Sequence, residues 1–176
     1  FKGVYKLPEG HYFTYRDGKM DIHRYYDEDF REGKQKLGEL VNSIDQTVCD
    51  SVKAHQIADV EVGSFLSSGV DSSYVAAVAR PQHTYSIGFG KGTYNESQQA
   101  GELAELLKLN NTAESLTDEE AFAAFPRIQW HLDEPDSNPS CVPLYFLSAL
   151  AAKDVKVVLS GEGADELFAG YIDYGV

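Results

Sequence analysis

The sequence predicts an α/β protein, a parallel sheet with helices on both faces, preceded by a short N-terminal β-meander. Three observations point there. Two apolar runs, at 60–66 and 155–159, each break into a turn of small residues and then a helix start. A third run, at 84–89, lies between them, and apolar residues at helical spacing fill the intervals. Such sheets bind ligands beyond the carboxyl ends of their strands, where both turns fall.

The elements follow in chain order. Residues 1–26 alternate aromatic and polar positions around the turn signals Pro8-Glu9-Gly10 and Arg16-Asp17-Gly18, and read as the strands of the meander. Through 32–55, Leu37, Leu40, Val41, Ile44, Val48 and Val52 recur at helical spacing. A buried strand ends near Leu66 and a helix continues through Tyr74, Val75 and Val78. After the strand at 84–89, a helix over 95–109 points Ala100, Leu103, Ala104, Leu106 and Leu107 at the core, with Asn95 as its N-cap. Helices at 119–132 and 143–152 precede the strand at 155–159.

The first turn reads Ser67-Ser68-Gly69-Val70-Asp71-Ser72-Ser73. A helix N-terminus leaves backbone N–H groups unpaired and carries partial positive charge, so it can cradle an anion. Four serines add neutral donors, and Gly69 lets the backbone approach a phosphate. Asp71 is out of place in an anion hole unless it holds a divalent cation that neutralises the phosphates. Capping alone would account for one such residue, not five around a glycine. The G-x-x-x-x-G-K-[ST] and G-x-G-x-x-G patterns are both absent. The second turn, Ser160-Gly161-Glu162-Gly163-Ala164-Asp165-Glu166, places three carboxylates at a helix start. Glu162 lies between two glycines, which suggests that a ligand or another backbone comes close. For Glu166 a helix-starting carboxylate accounts for the residue as well as a role in the site does.

Composition excludes more than it selects. A formal charge of −13 lacks the basic footprint of a nucleic-acid binder. It also sets a repulsive field that helix termini and Mg²⁺ must overcome locally for an anionic nucleotide. Cys49 and Cys141 form no framework of pairs and fit a reducing, cytoplasmic setting. Cys49 falls on an apolar helical face and Cys141 among loop residues. No apolar run is long enough to cross a membrane, and no signal-like start is visible. The five histidines have no mutual zinc-ligand spacing.

The first loop resembles the S-G-G-x-D-S-S loop of the pyrophosphate-releasing ATP enzymes, which grips the pyrophosphate of ATP while the α-phosphate is attacked. Ser68 stands where that family usually has its first glycine, and a required positive φ there would cost a serine roughly 1 kcal/mol or more. Alone, the loop also fits NAD, GMP or β-lactam synthetases. Together with Ser160-Gly161-Glu162-Gly163-Ala164-Asp165-Glu166-Leu167-Phe168-Ala169-Gly170-Tyr171 and the Asp-, Pro- and Ser-rich segment 133–148, it resembles the synthetase domain of glutamine-dependent asparagine synthetase.

The resemblance implies an adenine nucleotide α-hydrolase-like fold. It makes residues 1–30 a β-meander joined to a missing glutaminase domain, and 31–176 an ATP-pyrophosphatase-type synthetase domain truncated at its C-terminus. It implies ATP and Mg²⁺ as cofactors, with ATP, aspartate and ammonia as partners; a homodimer stays open. Leu66, Ser67, Ser68, Gly69, Val70, Asp71, Ser72, Ser73, Ile87, Gly88, Ser160 and Gly161 would bind ATP or its pyrophosphate. Leu66 and Ile87 would line the adenine pocket partly through backbone groups, though core packing explains them nearly as well. Asp71 and Asp165 would hold magnesium, and Glu162 would act as general base when ammonia attacks β-aspartyl-AMP. The family's N-terminal cysteine nucleophile is not at Phe1, and the chain ends at Val176 before the family's phosphate-stabilising lysine, so the piece is expected to be weak or inactive alone. Two other classes fit the same loops: a non-catalytic ATP-binding remnant, and a related ligase adenylating a different carboxylate in β-lactam formation or peptide modification.

Overall fold

The computed structural model describes residues 2–29, 33–90 and 96–172. The chain forms two compact units, Phe1–Val41 and Asn42–Val176. In the first, β1 (His11–Arg16) and β2 (Lys19–Arg24) pair antiparallel as a hairpin. Asp17 and Gly18 both take positive φ at its tip, the conformation that two-residue hairpin turns require. Gly10 joins a positive φ of 66 to a close approach: a Cβ there would lie 2.5 Å from the Tyr26 carbonyl oxygen. The expected meander is thus one hairpin. Val4 and Tyr5 stay exposed outside any strand among the described residues.

Helix α1 (Leu37–His55) begins later than the periodicity predicts, and Glu32 lies outside the described residues. Val48 and Val52 pack as expected, but Leu37, Leu40 and Val41 are exposed.

The second unit holds β3 (Val62–Phe65), α2 (Val70–Ala79), β4 (His83–Phe89), α3 (Glu96–Leu107) and β5 (Asn110–Leu116). It continues through α4 (Asp118–His131), α5 (Cys141–Ala151), β6 (Val157–Leu159) and α6 (Ala164–Phe168). Its four strands run parallel in the order β5-β4-β3-β6. The chain therefore winds outward from β3 to β5, then returns to lay β6 on the free side of β3. That reversal sets the turns after β3 and β6 side by side, the arrangement in which open α/β sheets form their binding crevice.

Strand alternation gives the sheet two faces. Phe65, Tyr85, Ile87 and Val158 pack with Leu147, Leu150 and Ala151 of α5. On the other face, Leu66 packs with Ala76 of α2 and Ala100, Leu103 and Ala104 of α3. Val62 and Leu159 pack there too, against α1 and α2. That face also buries Ser64, Thr84 and Ser86. Their hydroxyls are satisfied: Thr84 and Ser86 both donate to Oδ1 of Asn111, at 3.0 and 3.1 Å, and Ser86 also donates to the Leu66 carbonyl at 2.7 Å.

The structure departs from the sequence reading in four further places. Strand β5 was not expected, because Asn110–Leu116 is a mostly exposed edge strand with little apolar alternation. Leu106 is exposed, since it falls on the flank of α3, off the Ala100–Leu103–Ala104 stripe. Strand β6 starts only at Val157, because the Val155 N–H bonds the Ala151 carbonyl at 2.9 Å in the turn closing α5. Cys141 opens α5 rather than lying in a loop. The expected cap Asn95 lies outside the described residues. Thr117 caps α4 through a capping box, accepting from the Glu120 N–H at 3.2 Å while the Glu120 carboxylate accepts from the Thr117 N–H at 2.9 Å. The Thr117 N–H, and after it the Thr117 hydroxyl donating to the same carboxylate at 3.0 Å, hold the Glu120 carboxyl below its ordinary range. No helix among the described residues is long and apolar enough to cross a membrane.

Candidate functional site

The turn after β3 is a hydroxyl network. Ser67 Oγ lies 2.6 Å from Ser72 Oγ and accepts from the Gly69 N–H at 3.1 Å. The Ser67 N–H donates back to Ser72 Oγ at 3.1 Å. Ser73 donates to the Gly69 carbonyl at 2.6 Å, a bond that fastens the helix start. Ser68 is not among the positive-φ residues, so the serine in place of a glycine carries no left-handed strain. Gly69 has φ −70, and a Cβ there would sit 3.2 Å from Ser67 Oγ. It caps α2 with no side-chain bond to the helix start. The N-terminal amides of α2 therefore face outward under a rim of serines.

Behind the loop, Tyr74 donates its hydroxyl to Asp45 on α1 and lies 3.8 Å from Cys49 Sγ. The carboxylate acceptor holds the Tyr74 proton well above the usual phenol range. These contacts tie α2 to α1.

The turn after β6 is pressed against the first. A Cβ on Gly161 would fall 2.8 Å from the Ser72 nitrogen and 3.0 Å from the Asp71 Cβ. Only glycine lets the two backbones approach so closely. Gly163 serves differently, with φ 90 at the N-cap of α6. Between them, Glu162 is exposed; its N–H donates to Ser160 Oγ at 3.2 Å, and its carboxylate has no hydrogen-bond or ion-pair partner among the described residues. The Asp165 carboxylate lies over Gly170, where a Cβ would collide with its Oδ1. Tyr171 donates to Glu166 at 2.6 Å and draws that carboxyl below its ordinary range, assisted by the Glu166 N–H.

These residues wall one cavity of about 360 Å³. Leu66, Ser67, Gly69, Asp71, Ser72 and Ile87 enter it from one side, and Ser160, Gly161, Glu162 and Asp165 from the other. Ser68, Val70 and Ser73 are not in its wall, and the Val70 side chain is 81% exposed. Gly88 lines a neighbouring cavity of about 670 Å³ instead. The Leu66 N–H bonds the Tyr85 carbonyl at 2.8 Å and its side chain is buried.

Asp71 and Asp165 share the smaller cavity, and no group of three or more His, Cys, Asp or Glu suited to a metal occurs among the described residues. Two carboxylates are the donor set Mg²⁺ takes when phosphates and waters complete its shell, so the pair fits a nucleotide-bound ion rather than a protein-only cage.

Sequence reasoning missed the remaining walls. Ser140, Pro143, Leu144 and Leu147 come from α5 and its approach, and Glu96 from the start of α3. The segment 133–148 did carry a signal in its composition. Gln129 holds it in place, donating to the Asp136 carbonyl at 2.9 Å and accepting its N–H at 3.0 Å.

Comparison with known proteins agrees with this geometry. The asparagine synthase family model matches residues 43–175. Asparagine synthetase [glutamine-hydrolyzing] 1 of Bacillus subtilis is 40% identical over 97% of this chain, which spans 28% of that protein. A putative asparagine synthetase of Mycobacterium bovis is 46% identical over 71% of this chain, corresponding to 20% of that protein. The chain thus spans about a quarter of the length of these relatives. Among solved structures, NMN synthetase from Francisella tularensis superposes with TM-score 0.50 at 19% identity, covering 79% of this chain and 60% of the other, a likeness of fold. A parallel sheet with its two loops meeting at the strand ends, together with a family model matching most of its length, places this chain in the asparagine synthase family.

Proposed function

We propose that this chain forms the ATP-binding part of an enzyme that amidates aspartate through β-aspartyl-AMP, releasing AMP and pyrophosphate. The observation that carries the proposal is the seating of Gly161 on Asp71 and Ser72, which makes the turns after β3 and β6 walls of one cavity.

In this reading Ser67, Gly69, Ser72 and the first turn of α2 take the pyrophosphate of ATP. Ser160, Gly161, Leu66 and Ile87 border the nucleoside, and Asp71 and Asp165 hold Mg²⁺, which supplies charge neutralisation. Catalysis of the first step is positioning: the β-carboxylate of aspartate is brought in line with the α-phosphorus, and pyrophosphate leaves into the serine-rimmed helix N-terminus. Ammonia then attacks the acyl-adenylate carbonyl and AMP departs. Glu162, in the cavity wall, removes the proton from the ammonium that develops. In the complete enzyme the ammonia comes from glutamine hydrolysed in another domain.

Exchange of labelled pyrophosphate into ATP tests the first step, and the expected result is exchange that requires aspartate. Exchange with a different acid, or none in the complete enzyme, would overturn it. In the complete enzyme Glu162→Gln is expected to spare exchange and slow amide formation by about 10²–10⁴-fold, the usual contribution of a positioned base. Equal loss of both would remove the assignment of Glu162.

A further inference from the structure

The larger cavity, about 670 Å³, opens beside the nucleotide cavity, and the two share Ile87, Glu96, Ser140 and Pro143. Its own walls are apolar, with Phe89, Phe122 and Phe125 prominent. Among the described residues, Glu96 is the one charged side chain that lines both spaces, and no described lysine, arginine or histidine lines either. Its carboxylate has no hydrogen-bond or ion-pair partner among the described residues. An acid in a first helical turn is favourable to the helix dipole in any setting. That alone does not account for its standing at the boundary between the two cavities.

We propose that Glu96 binds the α-ammonium of the amino-acid substrate whose carboxylate is activated in the adjoining cavity. This rests on the reading of an amino acid adenylated by ATP and adds how it is selected. A substrate reaching the α-phosphorus from the shared wall would leave its ammonium beside Glu96. The carboxylate forms a charge-assisted bond with an ammonium and offers nothing to an analogue without one. Discrimination then follows from a difference in pairing at one position. Glu96 is a specificity residue in this account and takes no part in the bond changes.

The test compares L-aspartate with succinate, the same dicarboxylic acid without the ammonium, in pyrophosphate exchange by the complete enzyme. Glu96→Gln is expected to raise half-saturating aspartate at least about tenfold, the scale of one charge-assisted bond at an open site. Half-saturating ATP should stay within about twofold, because Glu96 touches no phosphate in this account. The variant should also lose its preference for aspartate over succinate. Unchanged discrimination would overturn the proposal, as would a shift confined to the Mg²⁺ requirement, which would make Glu96 a metal ligand.

If the wild type shows no aspartate-dependent exchange, the proposed function fails, and this inference is decided by binding. Aspartate and succinate are then titrated with AMP into the chain, following the amide signals of Phe89, Glu96 and Phe122. Aspartate binding preferred over succinate, with the preference lost in Glu96→Gln, upholds the inference. Equal binding, a preference that survives the substitution, or no binding of either overturns it.

Discussion

The junctions after β3 and after β6 share one topology, strand to turn to helix, but differ in what shapes them. The first is held by hydroxyls: Ser67, Ser72 and Ser73 bond to one another and to the Gly69 backbone, and every residue of the turn keeps an ordinary negative φ. It leads into a ten-residue helix anchored to α1 through Tyr74. The second is held by glycines and contact: Gly161 leans on the first loop, Gly163 takes φ 90, and only a five-residue helix follows, closed by left-handed Ala169. A loop that must present donors is stiffened by groups that can turn toward a ligand. A loop that must bring carboxylates to the same place is aimed by its backbone.

Breaking the contact between the two should have the largest effect. Gly161→Ala forces a methyl to 2.8 Å from the Ser72 nitrogen, and overpacking of this kind costs about 1–3 kcal/mol. Nucleotide affinity, read by calorimetry, should fall at least about tenfold, since 1.4 kcal/mol is one decade. An unchanged affinity would show that the second turn is not seated on the first.

The hydroxyl side of the comparison is sharpened by a pair of neighbours. Ser73→Ala removes the bond to the Gly69 carbonyl and should cost about 0.5–1.5 kcal/mol in chemical denaturation while changing affinity little. Ser72→Ala should cost a similar amount of stability but weaken ATP binding further, because Ser72 lines the cavity and Ser73 does not. Equal effects on binding would deny the distinction.

The smallest effect belongs to a helix start outside both junctions. Thr117→Ala should cost about 1 kcal/mol and leave nucleotide binding alone. Its sign with pH is fixed by Glu120, whose carboxyl is held below its ordinary value by the Thr117 N–H, which alanine keeps, and by the Thr117 hydroxyl at 3.0 Å, which alanine removes. The Glu120 contribution is present above the ordinary carboxylate range and is lost as pH falls through the lowered value. The gap between wild type and Thr117→Ala should therefore narrow in acid, which thermal melts at pH 7 and pH 3 would show.

Much of this was legible in the sequence, for identifiable reasons. Strands β3 and β4 and helix α2 announce themselves because their apolar runs end in turn chemistry that local sequence controls. Strand β5 does not, since apart from Leu116 at its end the group it turns inward is Asn111, which accepts from Thr84 and Ser86 on the neighbouring strand. The close approach of Gly161 could be suspected from flanking glycines, but its partner, Asp71–Ser72, lies far away in the chain. Leu66 is expected to line a nucleotide pocket partly through backbone groups, and no local pattern tells that the Tyr85 carbonyl takes its N–H. Glu96, Ser140 and Pro143 join the cavity walls only through the strand order.

That strand order has a bearing on how the chain is made. From the N-terminus, β3, β4 and β5 emerge first, and β3 acquires its second neighbour only when Val157–Leu159 has been synthesised. Until then the future centre of the sheet has one bare side, a row of unpaired amides and carbonyls open to another nascent chain. Polypeptides cut short before β6 would carry that edge permanently, and precipitation is their expected fate.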